Sequence, residues 1–183
     1  MKKFLIVLFI LVQGLIFAAG NSLADIKTLK FDVVEKTTIK SKKRELTYKI
    51  DFILPNKIKK EVIAPKLNKG EIYMYDYSAN KKSVYLPMFN ETKESEIVDD
   101  ENRIIKAINK IIEEEKTNKN FKQKYNAKKA QSLNIDKQIS ITISTYLEVD
   151  GYIFPETVQI KDSGTKIADV KISNLQINPK IEM

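Results

Sequence analysis

The side chains able to do chemistry in this chain are carboxylates and lysines. Asp and Glu number 24 and Lys and Arg 32, for a formal net charge of +8, and there is no His, Cys or Trp. Without imidazole there is no Ser-His-Asp relay and no histidine general base. Without a thiolate there is no cysteine nucleophile and no zinc-finger or iron–sulfur site. Any metal would have to be held by oxygen alone. The tightest acidic run, Asp99-Asp100-Glu101, reads as a helix start rather than a calcium loop. Two carboxylates suffice for glycoside hydrolysis, but the acids here are scattered beside lysines in turns, and no Trp offers a sugar platform. The expectation is a non-enzymatic protein with no cofactor and no metal.

The cations point the same way. Only Arg44 and Arg103 are arginines. Lysine is a hydrated point charge rather than a bidentate fork, which argues against nucleic acid as a partner. Anionic lipid head groups or acidic proteins fit better. The lysine groups at 40–43 and 57–60 could meet them, or could simply be solvated turns and a charge-protected edge strand.

The chemistry left is apolar binding, and the elements must build the space for it. Lys2 and Lys3 precede an apolar run at 4–12, which resumes at 15–19 after Gln13-Gly14. Small residues follow, as in a secretory leader. The interrupted run falls short of the ~20 apolar residues a membrane span needs. The cut is expected after Ala24, with Ser22 at −3, or after Gly20. Residues 1–24 are then a signal peptide and 25–183 a single domain, periplasmic and monomeric. Lacking cysteine, that domain must stand on its core alone.

The domain reads mainly as strands. Leu46, Tyr48, Ile50, Phe52 and Leu54 alternate without a miss, as a half-buried strand does. Strands are also predicted at 29–39, 58–62, 71–77 and 83–87. Residues 40–45 and 89–97 read as a charged turn and a polar loop. A helix is predicted from about 99 to 116, capped by Asp99 or Asp100, with Ile104, Ile108, Ile111 and Glu115 in one row and Ile105 and Ile112 beside it. Glu113, Glu114 and Glu115 oppose the dipole at its end, so the last turn should be weak and the helix held by its isoleucine stripe. A lysine- and asparagine-rich connection at 117–129 is expected to be mobile. Strands resume at 139–147, then an Asp150-Gly151 hairpin signal, a strand with Pro155 at an edge or bulge, and a last strand through Val170, Ile172 and Leu175. The fold class is α+β, mainly antiparallel: seven or eight strands in a strongly curved, unclosed barrel, with one amphipathic helix on the concave face.

Particular runs resemble the lipoprotein carrier LolA and its relatives, including LolB. They are Ile53-Leu54-Pro55-Asn56-Lys57-Ile58-Lys59-Lys60-Glu61, then Asn68-Lys69-Gly70-Glu71-Ile72-Tyr73-Met74-Tyr75-Asp76. Asp150-Gly151-Tyr152-Ile153-Phe154-Pro155-Glu156 resembles the family's hairpin and proline-bearing strand, and residues 168–178 its closing strand. The chain departs from the family in three ways. Leu54 stands where the family has an arginine that helps hold the lid. Strand signal begins where the family carries an N-terminal helix. The sequence stops at Met183 without the carrier's longer tail. The resemblance implies an apolar cavity and a role in carrying lipoprotein or lipid acyl chains toward the outer membrane, with inner- and outer-membrane transport partners.

The candidate cavity residues are Tyr48, Ile50, Phe52, Ile58, Val62, Tyr73, Tyr75, Ile104, Ile108, Ile111 and Ile112. Their alternative reading is plain core. Alternation alone leaves open which face of 71–77 points inward. The competing functions are a periplasmic sensor or protein-binding module of the same fold, and an enzyme working with carboxylates.

Overall fold

The computed structural model describes residues 21–39, 42–98 and 102–183. Ten strands form one antiparallel sheet in the order β6-β5-β4-β3-β2-β1-β10-β9-β8-β7. The first meander is β1 (Thr28–Ile39), β2 (Lys42–Ile53), β3 (Lys57–Ala64), β4 (Ile72–Asp76), β5 (Lys81–Leu86) and β6 (Glu91–Glu96). Two helices follow, α1 (Arg103–Thr117) and α2 (Lys119–Asn126). The second meander is β7 (Gln131–Asn134), β8 (Ile139–Val149), β9 (Tyr152–Asp162) and β10 (Thr165–Ile177). First and last strands pair at the centre, Val33 opposite Ile172. The edges β6 and β7 stay apart, so the barrel is unclosed, and the chain passes from one edge to the other through α1 and α2.

Alternation decides the two faces. Phe31 and Val33, then Tyr48, Ile50 and Phe52, then Ile58 and Val62 are buried on the inner face. Lys30, Asp51, Lys59 and Glu61 take the alternate positions, and Lys30 pairs with Asp51 across the strands at 3.3 Å. Tyr75, opposite Ile58, is buried while Met74 is exposed, so the tyrosine face of β4 points inward. Bulges re-phase the pattern where it would fail. Asn174, at φ 51°, is the extra residue of β10 against Lys30 and Asp32, and it lets Ile172 and Leu175 both face the core. Pro155 sits beside a bulge against Tyr146, beyond the last β9–β10 pair at Thr157, where a missing N–H costs no ladder bond. Such bulges bend and twist a sheet, which suits one that curls around helices.

Several expectations need correction. Among the described residues there are ten strands, where seven or eight were expected. Residues 42–45 continue β2 rather than forming a turn, and 91–96 are a strand rather than a loop. All six residues of β6 are exposed, so no apolar alternation announced it. β6 is held by pairing to β5 and by ion pairs such as Lys81–Glu94 at 2.9 Å. β7 is short and equally quiet.

The connection expected to be mobile contains α2. Asn118 caps it, its side chain accepting from the Phe121 N–H at 3.0 Å. Phe121 and Tyr125, four residues apart, stack at 5.4 Å between ring centres and are buried. Tyr125 also meets Tyr146 edge-on and donates to the Ile153 carbonyl at 3.1 Å.

The start of α1 also differs. Asp99 and Asp100 lie outside the described residues. The residue preceding the helix is Asn102, at φ 61°, whose amide donates to the Tyr77 hydroxyl at 3.3 Å. Ile104, Ile105, Ala107, Ile108 and Ile111 are buried against the sheet, as the stripe requires.

The last turn is not weak. Lys110 pairs with Glu113 and Glu114 at 3.0 and 3.2 Å, and Asn118 donates to Glu114 at 2.9 Å. These contacts hold the Glu114 carboxyl below its usual range, Asn118 first, and the Lys110 ammonium above its own. Glu115 is only 3% exposed and completes the isoleucine row as an ion pair. Its carboxylate meets Lys122 of α2 at 2.6 Å and accepts from Ser22 at 2.9 Å. The predicted conflict with the dipole is answered by partners one turn back and on the next helix.

Removing Lys122, itself 41% exposed, leaves the buried Glu115 carboxylate with the Ser22 hydroxyl but without this ammonium. Lys122→Met should lower unfolding free energy by about 1–3 kcal/mol in urea denaturation, and adding Glu115→Leu should recover most of it. A cost below about 0.5 kcal/mol for Lys122→Met would contradict this reading.

Tyr125 gives a pH prediction. Burial, then Tyr146 and Glu115, push its hydroxyl pKa well up. A group whose pKa rises on folding contributes stability that is intact below the unfolded value and lost above it. Stability should therefore decline from about pH 10 upward, by up to ~1.4 kcal/mol per pH unit per buried tyrosine. Tyr125→Phe should be less stable at pH 7 and show a shallower alkaline decline. Parallel curves for the two proteins would refute this.

Candidate functional site

The inner face is not apolar throughout. Ile58 and Val62 flank Lys60 on β3, and Glu35 follows Phe31 and Val33 in the same phase on β1. These charges sit toward the end of the sheet where α1 begins, around an open cleft of about 830 Å³. Its floor is Leu46, Tyr48, Val62, Ile104 and Ile160. Its rim carries Pro65, Leu67, Tyr73 and Asn102, with Glu35, Arg44, Glu45, Lys60, Glu71 and Arg103 around them.

The polar groups are organised by the tyrosines. Tyr48 donates to Glu35 at 2.9 Å, and the Lys60 ammonium lies 4.1 Å from the Tyr48 ring centre and 5.8 Å from that of Tyr73. A cation over a desolvated tyrosine face is stabilised by the ring quadrupole. Burial and the neighbouring Glu35 carboxylate push the Tyr48 hydroxyl pKa well up, so it stays a protonated donor. Tyr73 donates to Glu71 at 2.6 Å, and Asn68 holds the other oxygen of that carboxylate at 2.8 Å. Tyr73, Tyr75 and Tyr77 stack in a ladder at 6.4 and 6.3 Å, and the foot of the ladder at Tyr77 meets Asn102. The rim thereby becomes one network from β1 to the start of α1.

Of the candidate cavity residues, Tyr48, Val62, Tyr73 and Ile104 line this cleft. Ile50, Phe52, Ile58, Tyr75, Ile108 and Ile111 are buried in the core beneath the helix, and Ile112 is half-buried against it. The space between helix and sheet is therefore filled along most of α1 and open at its N-terminal end. Leu46, Ile160 and the rim charges other than Lys60, which belongs to the lysine group at 57–60, were missed. Lys60 and Glu35 carried a readable signal, a charge in the inward phase of an apolar strand. Arg103 and Glu71 carried none.

Two further features concern the helix and the surface beside the cleft. Asn109 of α1 donates to the Pro55 carbonyl at 3.2 Å, tying the helix to the β2–β3 turn beside Leu54. Leu67 on the rim is 76% exposed, with Met88 at 70% and Phe89 at 68% in the adjoining β5–β6 turn. No described helix is long and apolar enough to cross a membrane.

No protein-family profile and no curated protein matches the chain. Solved structures do. A LolA superfamily protein from Nitrosomonas europaea superposes with a TM-score of 0.56 at 9% identity, over 86% of this chain and 89% of its own. A DUF1329 family protein from Desulfovibrio piger gives 0.56 at 10%, over 87% and 89%. An outer membrane lipoprotein-sorting protein domain from Vibrio parahaemolyticus gives 0.49 at 11%, over 85% and 86%. At such low identity the likeness is one of architecture, and it agrees with the open sheet and inner helices: the chain has a divergent LolA-like fold.

Proposed function

We propose that this protein is a non-enzymatic carrier that holds the acyl part of a lipoprotein or lipid in the cleft and moves it across the periplasm toward the outer membrane. The observation that carries the reading is the 830 Å³ opening with an aliphatic and tyrosine floor and a charged rim. Pockets of about 300–1,000 Å³ suit single small ligands. An amphiphile matches the arrangement: acyl carbons against Leu46, Val62, Ile104 and Ile160, and the polar head at the level of Lys60, Arg44 and Arg103. The LolA-like fold supports the class. The inter-membrane route and the transport partners belong to the proposal.

Ile108 is core in this fold, so a charge there tests stability rather than binding. The informative position is Leu46, half-buried on the floor. Titrating a fluorescent fatty acid or lipopeptide should give saturable binding to the wild type. Leu46→Glu should weaken it at least about tenfold, roughly 1.4 kcal/mol, by placing a carboxylate against the chain. Lys49→Glu, on the outer face, should leave it unchanged. Absence of saturable binding across several chain lengths would remove the carrier reading. The protein-binding module would then lead, favoured by the exposed Leu67, Met88 and Phe89 beside the cleft.

The Asn109–Pro55 bond lies beside Leu54, the position where the resemblance implies a lid-holding arginine. Here the helix donates and the turn accepts. Asn109→Ala should speed probe association and release several-fold in stopped-flow measurements, with a stability change within about 1 kcal/mol for one exposed bond. Unchanged rates would show that the bond does not restrain the helix.

A further inference from the structure

The segment before β1 is anchored, not loose. Leu23 is 2% exposed and Ile26 4%, both within the core. Ser22 donates to the buried Glu115 at 2.9 Å. The Asn21 backbone N–H donates to the Gly151 carbonyl at 2.9 Å, and its side-chain amide to the Asp150 carbonyl at 3.0 Å. A one-turn helix, Leu23–Asp25, joins these anchors to β1.

The sequence offers a leader peptidase two small-residue frames. Cutting after Ala24 would remove Leu23 from the core and Ser22 from a carboxylate that has little access to water. Cutting after Gly20, with Ala18 at −3, keeps every one of these contacts from Asn21 onward. Asn21 is exposed, and a new α-ammonium there keeps its hydrogen bond to Gly151. We propose that the chain is processed between Gly20 and Asn21 and not after Ala24. The step is amide hydrolysis. Water adds its oxygen to the Gly20 carbonyl carbon, the C–N bond breaks, Gly20 leaves with the leader as a carboxylate, and the Asn21 nitrogen is released as an ammonium.

The inference rests on the export part of the proposed function, and the test separates the two. The full chain, leader included, is expressed in a Gram-negative host, and the exported product is identified by intact mass and N-terminal sequencing. The expected first residue is Asn21. A product starting at Asp25, or at any other residue, overturns the inference but leaves export standing. Retention of Met1 overturns both. As an independent check, chains beginning at Asn21 and at Asp25 are melted side by side. The shorter is expected to unfold roughly 5–15 °C lower, as loss of a buried leucine would give, or to fail to fold. Leu23→Ala in the longer chain should reproduce much of the loss. Equal melting temperatures for the two chains would remove the physical basis.

Discussion

Everything in this structure depends on the docking of the α1 isoleucine stripe onto the inner face of the open sheet. An unclosed sheet of ten strands leaves its inner face without a partner, and with no disulfide the chain has apolar burial as its main source of stability. Ile104, Ile105, Ile108 and Ile111 supply that partner. The topology makes the docking unavoidable, because α1 and α2 are the only route from the edge β6 to the edge β7. The same docking sets where the molecule is full and where it is open. The isoleucine side chains share one core with Ile50, Phe52 and Ile58, and among the described residues the cleft lies where the stripe runs out near Asn102.

Polar groups then fix the helix in place. Apolar contact is indifferent to small slides, whereas a buried carboxylate is not. Glu115 reaches Lys122 and Ser22 from the far end of the stripe, Asn109 reaches the β2–β3 turn, and Asn102 reaches the tyrosine ladder. These three ties span the length of α1 and differ in strength. The buried Glu115 carboxylate with its two partners is the firm end. Asn109 ties mid-helix to the β2–β3 turn, and the single amide bond at Asn102 is the tie beside the cleft. If the helix moves to admit a ligand, the distribution of partners favours pivoting about Glu115.

Much of this was legible because period-two alternation is enforced wherever one face of a strand is buried. The phase of β2, Tyr48 to Phe52, follows from that rule, and the isoleucine row of α1 from its helical counterpart, a period of 3.6 residues. The Asp150-Gly151 turn has positive φ at both residues, 51° and 77°, as a two-residue hairpin turn requires. What escaped had few apolar side chains to report it. β6 and β7 are edge strands held by backbone pairing, and α2 buries only Phe121 and Tyr125. The helix end was misread because its glutamates were weighed only against the dipole and partners on their own helix. The lysine that answers it, Lys122, is on another element. The cleft was half legible: its apolar wall came from alternation, while its rim assembles residues from β1, β2, β3, β4 and α1 that only the fold brings together.

The central claim is that the open end of the inner face holds an amphiphile. Native mass spectrometry of the protein purified from the cells that express it tests it most directly. The account predicts a stoichiometric adduct with the mass of a lipid or acylated peptide, present on the wild type and lost from a protein whose Leu46 carries a charge instead. A wild type that flies only as the bare polypeptide, and that takes up no acyl ligand when one is supplied, would contradict it.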